Sequence, residues 1–202
     1  MRWRKAIPVA FVLAGTLGSG AKAGPDGPVD GPRCMGKAAT VVGTTGDDLL
    51  RGTIGRDVIW AGPGNDVVHG ERGNDLICGG SGSDLVDGGR NNDRVDGGPG
   101  DGDRSYGGLG DDQVNGGPGD GDEAAGHLGI DLVTGGPGDA DYVHGDYGWD
   151  RMDGGPGKGD IASFATAHTG GVWVSLTAKK ARGDGRDHRR LAGWICDWPQ
   201  SG

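Results

Sequence analysis

Apolar and aromatic side chains are scarce in this chain. Aromatic residues make up 5% of the 202 residues, and Leu, Ile, Val and Phe together number 35, about 17%. This is too little apolar side chain for the core of a doubly wound α/β fold, a helix bundle or an aromatic-lined pocket. With a formal charge of −9, such a composition is typical of disordered chains. The chain is therefore predicted to be disordered unless its abundant residues recur in a regular order.

The usual sequence signatures of enzymes and membrane proteins are also missing. The sequence has no H-E-x-x-H zinc helix and no G-x-S-x-G nucleophile elbow, since 80–83 (GSGS) is a repeat turn. No apolar run reaches the 18 or so residues of a membrane span, and an acidic chain repels nucleic acid. The histidines are scattered, at His69, His127, His144, His168 and His188. We therefore expect no catalytic site, no membrane span and no nucleic-acid partner.

The N-terminus has the features of an export signal. Basic residues at positions 2, 4 and 5 precede a short apolar run, and Ala21-Lys22-Ala23 is an A-x-A cleavage site. Residues 1–23 are predicted to be a signal peptide, which places the protein outside the cell, secreted or at the cell surface. Residues 24–33, rich in Gly and Pro, are predicted to be a linker.

Glycine and aspartate are abundant and periodic. Thirteen consecutive blocks of nine or ten residues run from Gly43 to Ser163, and they hold 35 of the 48 glycines and 24 of the 29 acidic residues. The first six blocks have nine residues each, with aspartate in the sixth place and an apolar residue in the eighth. From Gly97, ten-residue and nine-residue blocks alternate. The recurring aspartates are Asp48, Asp57, Asp66, Asp75, Asp84, Asp93, Asp103, Asp112, Asp122, Asp131, Asp141, Asp150 and Asp160.

The pattern G-G-x-G-x-D-x-U-x resembles the RTX (hemolysin-type) calcium-binding nonapeptide repeat. The resemblance covers about 121 of the 202 residues. It implies an all-β fold, a parallel β-roll that is a right-handed β-solenoid, with capping strands at both ends. It also implies Ca²⁺ as the bound ion and the thirteen recurring aspartates as its ligands.

The residue pattern predicts the same fold independently of the resemblance to the RTX family. Glycine at the first, second and fourth places permits tight turns, and the last three places form a short strand whose eighth residue points inward. Two blocks make one coil of about 18 residues, and coils stack about 4.8 Å apart. Asp48, Asp66 and Asp84 are then expected in one column, and Asp57, Asp75 and Asp93 in the other.

Columns of like charge need a cation between them. Calcium accepts six to eight carboxylate and carbonyl oxygens in tolerant geometry, whereas magnesium requires strict octahedral geometry and zinc prefers nitrogen and sulfur. The repeats carry 24 acidic and 8 basic residues. We therefore expect the roll to open without calcium and to fold with it.

The ten-residue blocks depart from the pattern. Their aspartate comes one place later, and a second acid precedes it at Asp101, Asp120 and Asp139, with Lys158 in the last block. Whether these wider turns keep the same metal geometry is left open. Their inward residues are small, such as Ser105 and Ala124, so the C-terminal coils are expected to be the less stable half.

Both ends of the roll are expected to be capped. Residues 34–42 are expected to supply an N-terminal strand with Val41 in core register. Residues 164–202 are expected to form a C-terminal cap with a strand at 172–176, and 183–187 resembles the closing turn found after RTX rolls. A basic cluster in this cap is compatible with docking of an extracellular protein or a polyanion, although a solvated polar cap is the simpler interpretation. The cluster consists of Arg186, His188, Arg189 and Arg190.

The cysteines leave the disulfide pairing open. Cys34 and Cys78 are the favoured pair, but strict register sets them about 9 to 10 Å apart, beyond the usual Cα limit of about 7 Å. The leader must fold back if they are to bond. Cys196 is left over.

The expected function is calcium ion binding by a secreted β-roll that folds on binding calcium and acts as a structural or surface-interaction module. One alternative is an accessory or remnant module of a secreted enzyme, toxin or adhesin. Another is a disordered acidic calcium buffer, which would bind calcium without gaining structure.

Overall fold

A computed structural model describes residues 31–163 and the backbone of 173–175. The predicted signal peptide, most of the predicted linker, most of the predicted C-terminal cap with its basic cluster, and Cys196 lie outside the described residues. Within them the structure contains strands and turns and no helix. No described segment is therefore a helix that could cross a membrane.

A short hairpin precedes the repeats. Its strands β1 (Arg33–Cys34) and β2 (Lys37–Ala38) pair antiparallel. The glycine at its tip, Gly36, has φ 79°. Fifteen further strands follow, and they belong to two parallel sheets.

The eight-stranded sheet takes every second strand along the chain. It runs in the order β17-β15-β13-β11-β9-β7-β5-β3. Its members are β3 (Val41–Val42), β5 (Val58–Pro63), β7 (Leu76–Ser81), β9 (Arg94–Asp96), β11 (Gln113–Asn115), β13 (Leu132–Thr134), β15 (Arg151–Asp153) and β17 (Trp173–Ser175).

The seven-stranded sheet takes the strands between these, in the order β16-β14-β12-β10-β8-β6-β4. Its members are β4 (Leu49–Arg51), β6 (Val67–His69), β8 (Leu85–Arg90), β10 (Arg104–Leu109), β12 (Glu123–Gly129), β14 (Tyr142–Gly148) and β16 (Ile161–Ser163). Consecutive strands therefore alternate between the sheets, and one strand of each makes a coil. The predicted parallel β-roll is confirmed.

The register follows the sequence period. Val68 pairs with Val86, 18 residues on, and Val86 pairs with Ser105, 19 residues on, where the first ten-residue block has been added. The extra residue of each longer block therefore lies in the turn and leaves the strand register unchanged.

Inward side chains form one continuous core between the sheets; each follows a recurring aspartate by two residues, except Ala61, which is the first residue of its block. They are almost completely buried, and Val41 and Ala162 pack against them at the two ends. The core is built from Leu50, Ile59, Ala61, Val68, Ile77, Val86, Val95, Val114, Ala124, Val133, Val143 and Met152. This confirms the predicted inward face and places Val41 in core register.

Two details differ from the expectations. Six strands run six or seven residues instead of three, because they continue into the first three or four places of the next block, as β5 does through Gly62, which pairs with Gly80 one coil further on. Two outward places are also buried, the seventh-place Leu76 and the ninth-place Ala125. Ala125 lies in register between Tyr106 and His144, whose larger side chains flank its methyl group.

The N-terminal hairpin brings Cys34 close enough to Cys78 for a disulfide. Cys34 and Cys78 form a disulfide with their Cα atoms 5.6 Å apart. The leader folds back as an antiparallel hairpin, so Cys34 does not follow the strict coil register that set it too far away. Cys34 is completely buried at this junction.

Candidate functional site

The recurring aspartates lie at the start of the strands, in two columns on opposite edges of the roll. Twelve are buried, with 6% exposure or less, and Asp160 at the C-terminal end is half-buried. Asp48, Asp66, Asp84, Asp103, Asp122, Asp141 and Asp160 form one column, and Asp57, Asp75, Asp93, Asp112, Asp131 and Asp150 form the other.

One oxygen of each carboxylate holds the column together. The backbone amide of every aspartate except the last of each column, Asp150 and Asp160, donates a hydrogen bond to Oδ1 of the aspartate one coil further on. Asp48 donates to Asp66 at 2.8 Å and Asp103 to Asp122 at 2.9 Å. The wider turns keep this bond. The ten-residue blocks therefore preserve the hydrogen-bonded carboxylate ladder.

The second carboxylate oxygen has no partner in most of the recurring aspartates. Oδ2 is buried and accepts no hydrogen bond in ten of the thirteen aspartates, which is costly for an ionised group. These ten are Asp66, Asp75, Asp84, Asp93, Asp103, Asp112, Asp122, Asp131, Asp141 and Asp150.

Glycine leaves a small space beside this oxygen. A Cβ added to Gly88 would lie 2.8 Å from Oδ2 of Asp93 and 2.6 Å from the carbonyl oxygen of Gly107, one coil further on. The same arrangement recurs at Gly135, beside Asp141 and the carbonyl of Gly154. We call this space, between Oδ2 of a recurring aspartate and the glycine carbonyl one coil further on, a cradle. Each cradle combines an unpartnered carboxylate oxygen with a backbone carbonyl, and a hard cation such as calcium prefers oxygen ligands of these kinds.

Two threonines close the columns at the N-terminal end. The amide and hydroxyl of Thr44 donate to Oδ2 of Asp48 at 2.6 and 2.9 Å, and Thr53 makes the same two bonds to Asp57. In these first two turns protein donors satisfy the oxygen that is unpartnered in the later ones. This role was not predicted; its signal in the sequence is threonine in the second place of the first two blocks.

An outer ladder runs beside each column on the exposed surface. At the wide turns, the amide of Asp120 donates to Asp101, that of Asp139 to Asp120, and that of Lys158 to Asp139. Lys158 continues this ladder through its backbone amide, so the loss of the acid there leaves the preceding bond intact. Fifth-place Asp and Asn side chains make the equivalent bonds elsewhere, as Asn65 does to Ser83.

Burial raises the pKa of aspartates in both columns, because it disfavours their ionised form. Desolvation raises the pKa of Asp93 to about 8, against the lowering effect of its hydrogen bond from Asp75, and the neighbouring carboxylates of Asp75 and Asp112 raise it further. For the same leading reason the pKa of Asp103 and that of Asp131 rise to about 7. The attraction of a cation beside Oδ2 would offset both the desolvation penalty and the repulsion between neighbouring carboxylates.

The carboxylates are spaced one per coil along each edge. In the described part of the chain no three or more His, Cys, Asp or Glu side chains are gathered into a ready-made metal cluster. A cation held in a column would therefore draw much of its coordination from backbone carbonyls, which calcium accepts and zinc does not favour.

Comparison with known proteins agrees with this geometry. The sequence pattern of the RTX calcium-binding nonapeptide repeat matches in four copies, at residues 42–77, 79–103, 103–123 and 125–161. No curated protein and no solved structure matches the chain. The four copies span more than half of the sequence and coincide with the stacked coils, so the chain belongs to the RTX calcium-binding nonapeptide repeat family.

Proposed function

We propose that the chain binds calcium ions along its two aspartate columns, each ion lying between neighbouring coils. The observation that carries this proposal is the buried, unpartnered Oδ2 beside a glycine carbonyl, repeated from coil to coil. The ligands are the recurring aspartates, from Asp66 to Asp160, with backbone carbonyls. Asp48 and Asp57, whose Oδ2 atoms are bonded to threonines, terminate the columns.

Folding is coupled to this binding. The repeats carry 24 acidic and 8 basic residues, and the fold buries twelve carboxylates. Without cations these groups must be protonated or left charged in a poorly solvated position, and both favour the open chain at neutral pH. Binding of calcium by the folded state alone stabilises it by mass action.

The role that follows is a non-catalytic structural or surface-interaction module outside the cell. Residues 1–23 act as an export signal, and the chain remains open at the low calcium concentration inside the cell. Moderate-affinity sites of this kind fill at the millimolar calcium of extracellular fluids. Export and folding are thereby separated, because the roll forms only after the chain reaches calcium.

The test is far-UV circular dichroism of the full chain during a calcium titration, with magnesium as the control ion and bound calcium followed by calorimetry. Asp103→Asn is the diagnostic variant because it weakens a buried ligand while keeping its shape. Asp101→Asn is its matched control, since Asp101 lies exposed in the same turn.

The expected result is a cooperative, calcium-selective gain of β structure, with fewer bound ions or a higher midpoint in Asp103→Asn and little change in Asp101→Asn. Calcium binding without a gain of structure would instead identify a disordered acidic buffer. Identical titrations for the two variants would overturn the assignment of the buried column as the site.

A further inference from the structure

Exposed apolar and aromatic side chains line one edge of the roll, where nine-residue blocks turn from the seven-stranded sheet to the eight-stranded sheet. The third-place residues Leu109, Leu128 and Tyr147 pair in register across three consecutive coils. Ile130 and Trp149 follow two residues after Leu128 and Tyr147. All five side chains are 44% to 60% exposed. They form one patch, which we call the apolar edge.

The apolar edge differs from the rest of this side of the roll. In the three preceding coils the same two places hold mainly arginine and asparagine, and Arg90 pairs in register with Leu109. Single exposed apolar residues are ordinary on a protein surface, whereas five in adjoining positions mark a contact surface. The residues of the preceding coils are Ile54, Arg56, Arg72, Asn74, Arg90 and Asn92.

Charge around the apolar edge favours a basic occupant that stays within it. Asp111 lies exposed in the fifth place of the first of the three blocks, and its Oδ1 accepts a 2.9 Å hydrogen bond from the amide of Ile130. The repeats as a whole carry 24 acidic and 8 basic residues. Arg72 and Arg90 continue the row toward the N-terminus and repel a basic chain there.

The C-terminal segment 176–202, which lies outside the described residues, has the matching composition. It carries six basic and three acidic residues. Four large apolar side chains fall within eight positions of it, and their burial against the apolar edge removes apolar area from water on both surfaces. These side chains are Leu191, Trp194, Ile195 and Trp198.

The segment also begins close to the apolar edge. Ser175, the last residue of β17, pairs with Asp153, which follows Trp149 by four residues. One inter-strand step of about 4.8 Å and four residues of about 3.5 Å each place Ser175 within roughly 19 Å of Trp149. The segment has 27 residues, which span about 90 Å when extended. Its length is therefore sufficient to reach all three coils.

We propose that segment 176–202 docks along the apolar edge of its own roll, with the apolar side chains at 191–198 covering Leu128, Ile130 and Trp149. The basic residues that precede them then lie against the acidic roll, so the cluster at 186–190 serves an internal contact. Docking requires the folded roll, and the proposal therefore rests on the proposed calcium binding.

Cys196 lies between Trp194 and Trp198 and provides the test, since Cys34 and Cys78 are bonded to each other. In the full chain with saturating calcium and a mild oxidant, Leu128→Cys should form a disulfide with Cys196 of the same chain. Peptide mapping without reduction identifies this bond.

Ile54→Cys is the matched control. Ile54 holds the third place on the same side of the roll and is 85% exposed, but it lies outside the apolar edge. The segment is long enough to reach it, so a difference between the two variants reports docking rather than reach. Leu109→Cys is a second probe within the apolar edge should Leu128→Cys fail to fold.

Hydrogen exchange gives a readout that does not depend on oxidation. In calcium, amides at 191–198 should be protected in the wild type. Leu128→Ser should increase their exchange rates by about 10-fold or more, because one leucine contact is lost. Ile54→Ser should leave these rates unchanged.

Equal cross-linking of Cys196 to positions 54 and 128, or exchange at 191–198 that Leu128→Ser leaves unchanged, would overturn the proposal. A covalent dimer in place of the bond within one chain would also overturn it, because the apolar edge then binds a second copy. Calcium-induced gain of β structure should be the same in all these variants, since no column residue is altered. A normal gain without docking contradicts this proposal alone, whereas no gain in the wild type contradicts the calcium proposal.

Discussion

The amide of Asp84 donates a 2.7 Å hydrogen bond to Oδ1 of Asp103, 19 residues later in the chain. In the shorter coils the same bond joins residues 18 apart, as between Asp75 and Asp93. The ladder therefore continues unchanged where the block length increases. A ladder with this tolerance keeps each carboxylate in place for the next coil, whatever the outer turn contains.

Gly88→Ala is expected to destabilise the roll and weaken calcium binding. The added Cβ would lie within 2.8 Å of Asp93 Oδ2 and of the Gly107 carbonyl, so ligands must shift, at about 1 to 3 kcal/mol. Thermal denaturation and calorimetry in calcium measure the two effects. Gly46→Ala is the control, since a Cβ there meets nothing within 4 Å. Equal effects of the two substitutions would contradict the assignment of the space beside Gly88 as part of a calcium site.

Metal-free protein should become more stable as the pH falls. The folded-state pKa of Asp93 is raised from 3.8 to about 8, so the folded chain binds protons that the unfolded chain releases in this interval. The free energy of unfolding therefore decreases as pH rises from about 4 to 8. The check is denaturation at pH 5 and pH 8 in a calcium chelator that remains effective at both.

With calcium present the dependence should reverse, because protons compete for the same oxygens. The calcium midpoint should increase as the pH is lowered from 8 to 6. Asp93→Asn should reduce both dependences, since the titrating group is removed. A midpoint independent of pH would contradict the raised pKa values.

Removal of the disulfide with Cys34→Ala and Cys78→Ala together should destabilise the first coils. The bond closes a loop of 44 residues, and loops of this size correspond to about 2 to 4 kcal/mol. Because a solenoid is stabilised by nearest neighbours, hydrogen exchange should increase mainly in β5 to β7. Uniform faster exchange up to β15 would show that the roll unfolds as one unit. Cys196→Ala is the control for replacement of a cysteine outside this disulfide.

Ser105→Ala is expected to stabilise the roll. The Ser105 side chain is completely buried between Val86 and Ala124 of the neighbouring strands, and its hydroxyl has no hydrogen-bond partner. Removing an unsatisfied buried hydroxyl should raise the free energy of unfolding by about 1 kcal/mol or more. Denaturant unfolding in calcium measures this. Ser83→Ala serves as the opposite control, because Ser83 Oγ donates to the carbonyl of Gly102 on the surface.

Much of the fold could be predicted from the sequence because each coil repeats the same few constraints. The position of Val86 in its block indicated an inward side chain, and the position of Asp84 indicated a column, because period and side-chain alternation determine both. Each of these features is determined within one block, and the stacking of coils repeats it along the roll.

What could not be predicted depends on contacts between unlike parts of the chain. The approach of Cys34 to Cys78 depends on a hairpin outside the repeat, which no periodicity describes. The contact of His144 with Glu123 joins two blocks whose individual histidine and acid are ordinary outward residues. Thr44 took a glycine place, and its bond to Asp48 required the three-dimensional turn.

The disulfide also limits how far the protein can be stretched. Under tension applied at its two ends, force passes from Cys34 to Cys78 through the covalent bond, and the 44-residue loop between them bears no load. The oxidised chain is then shorter at full extension by about 150 Å than the reduced chain. Within the described roll, the coils enclosed by the disulfide therefore do not lengthen, and the lengthening occurs in the coils that follow Cys78.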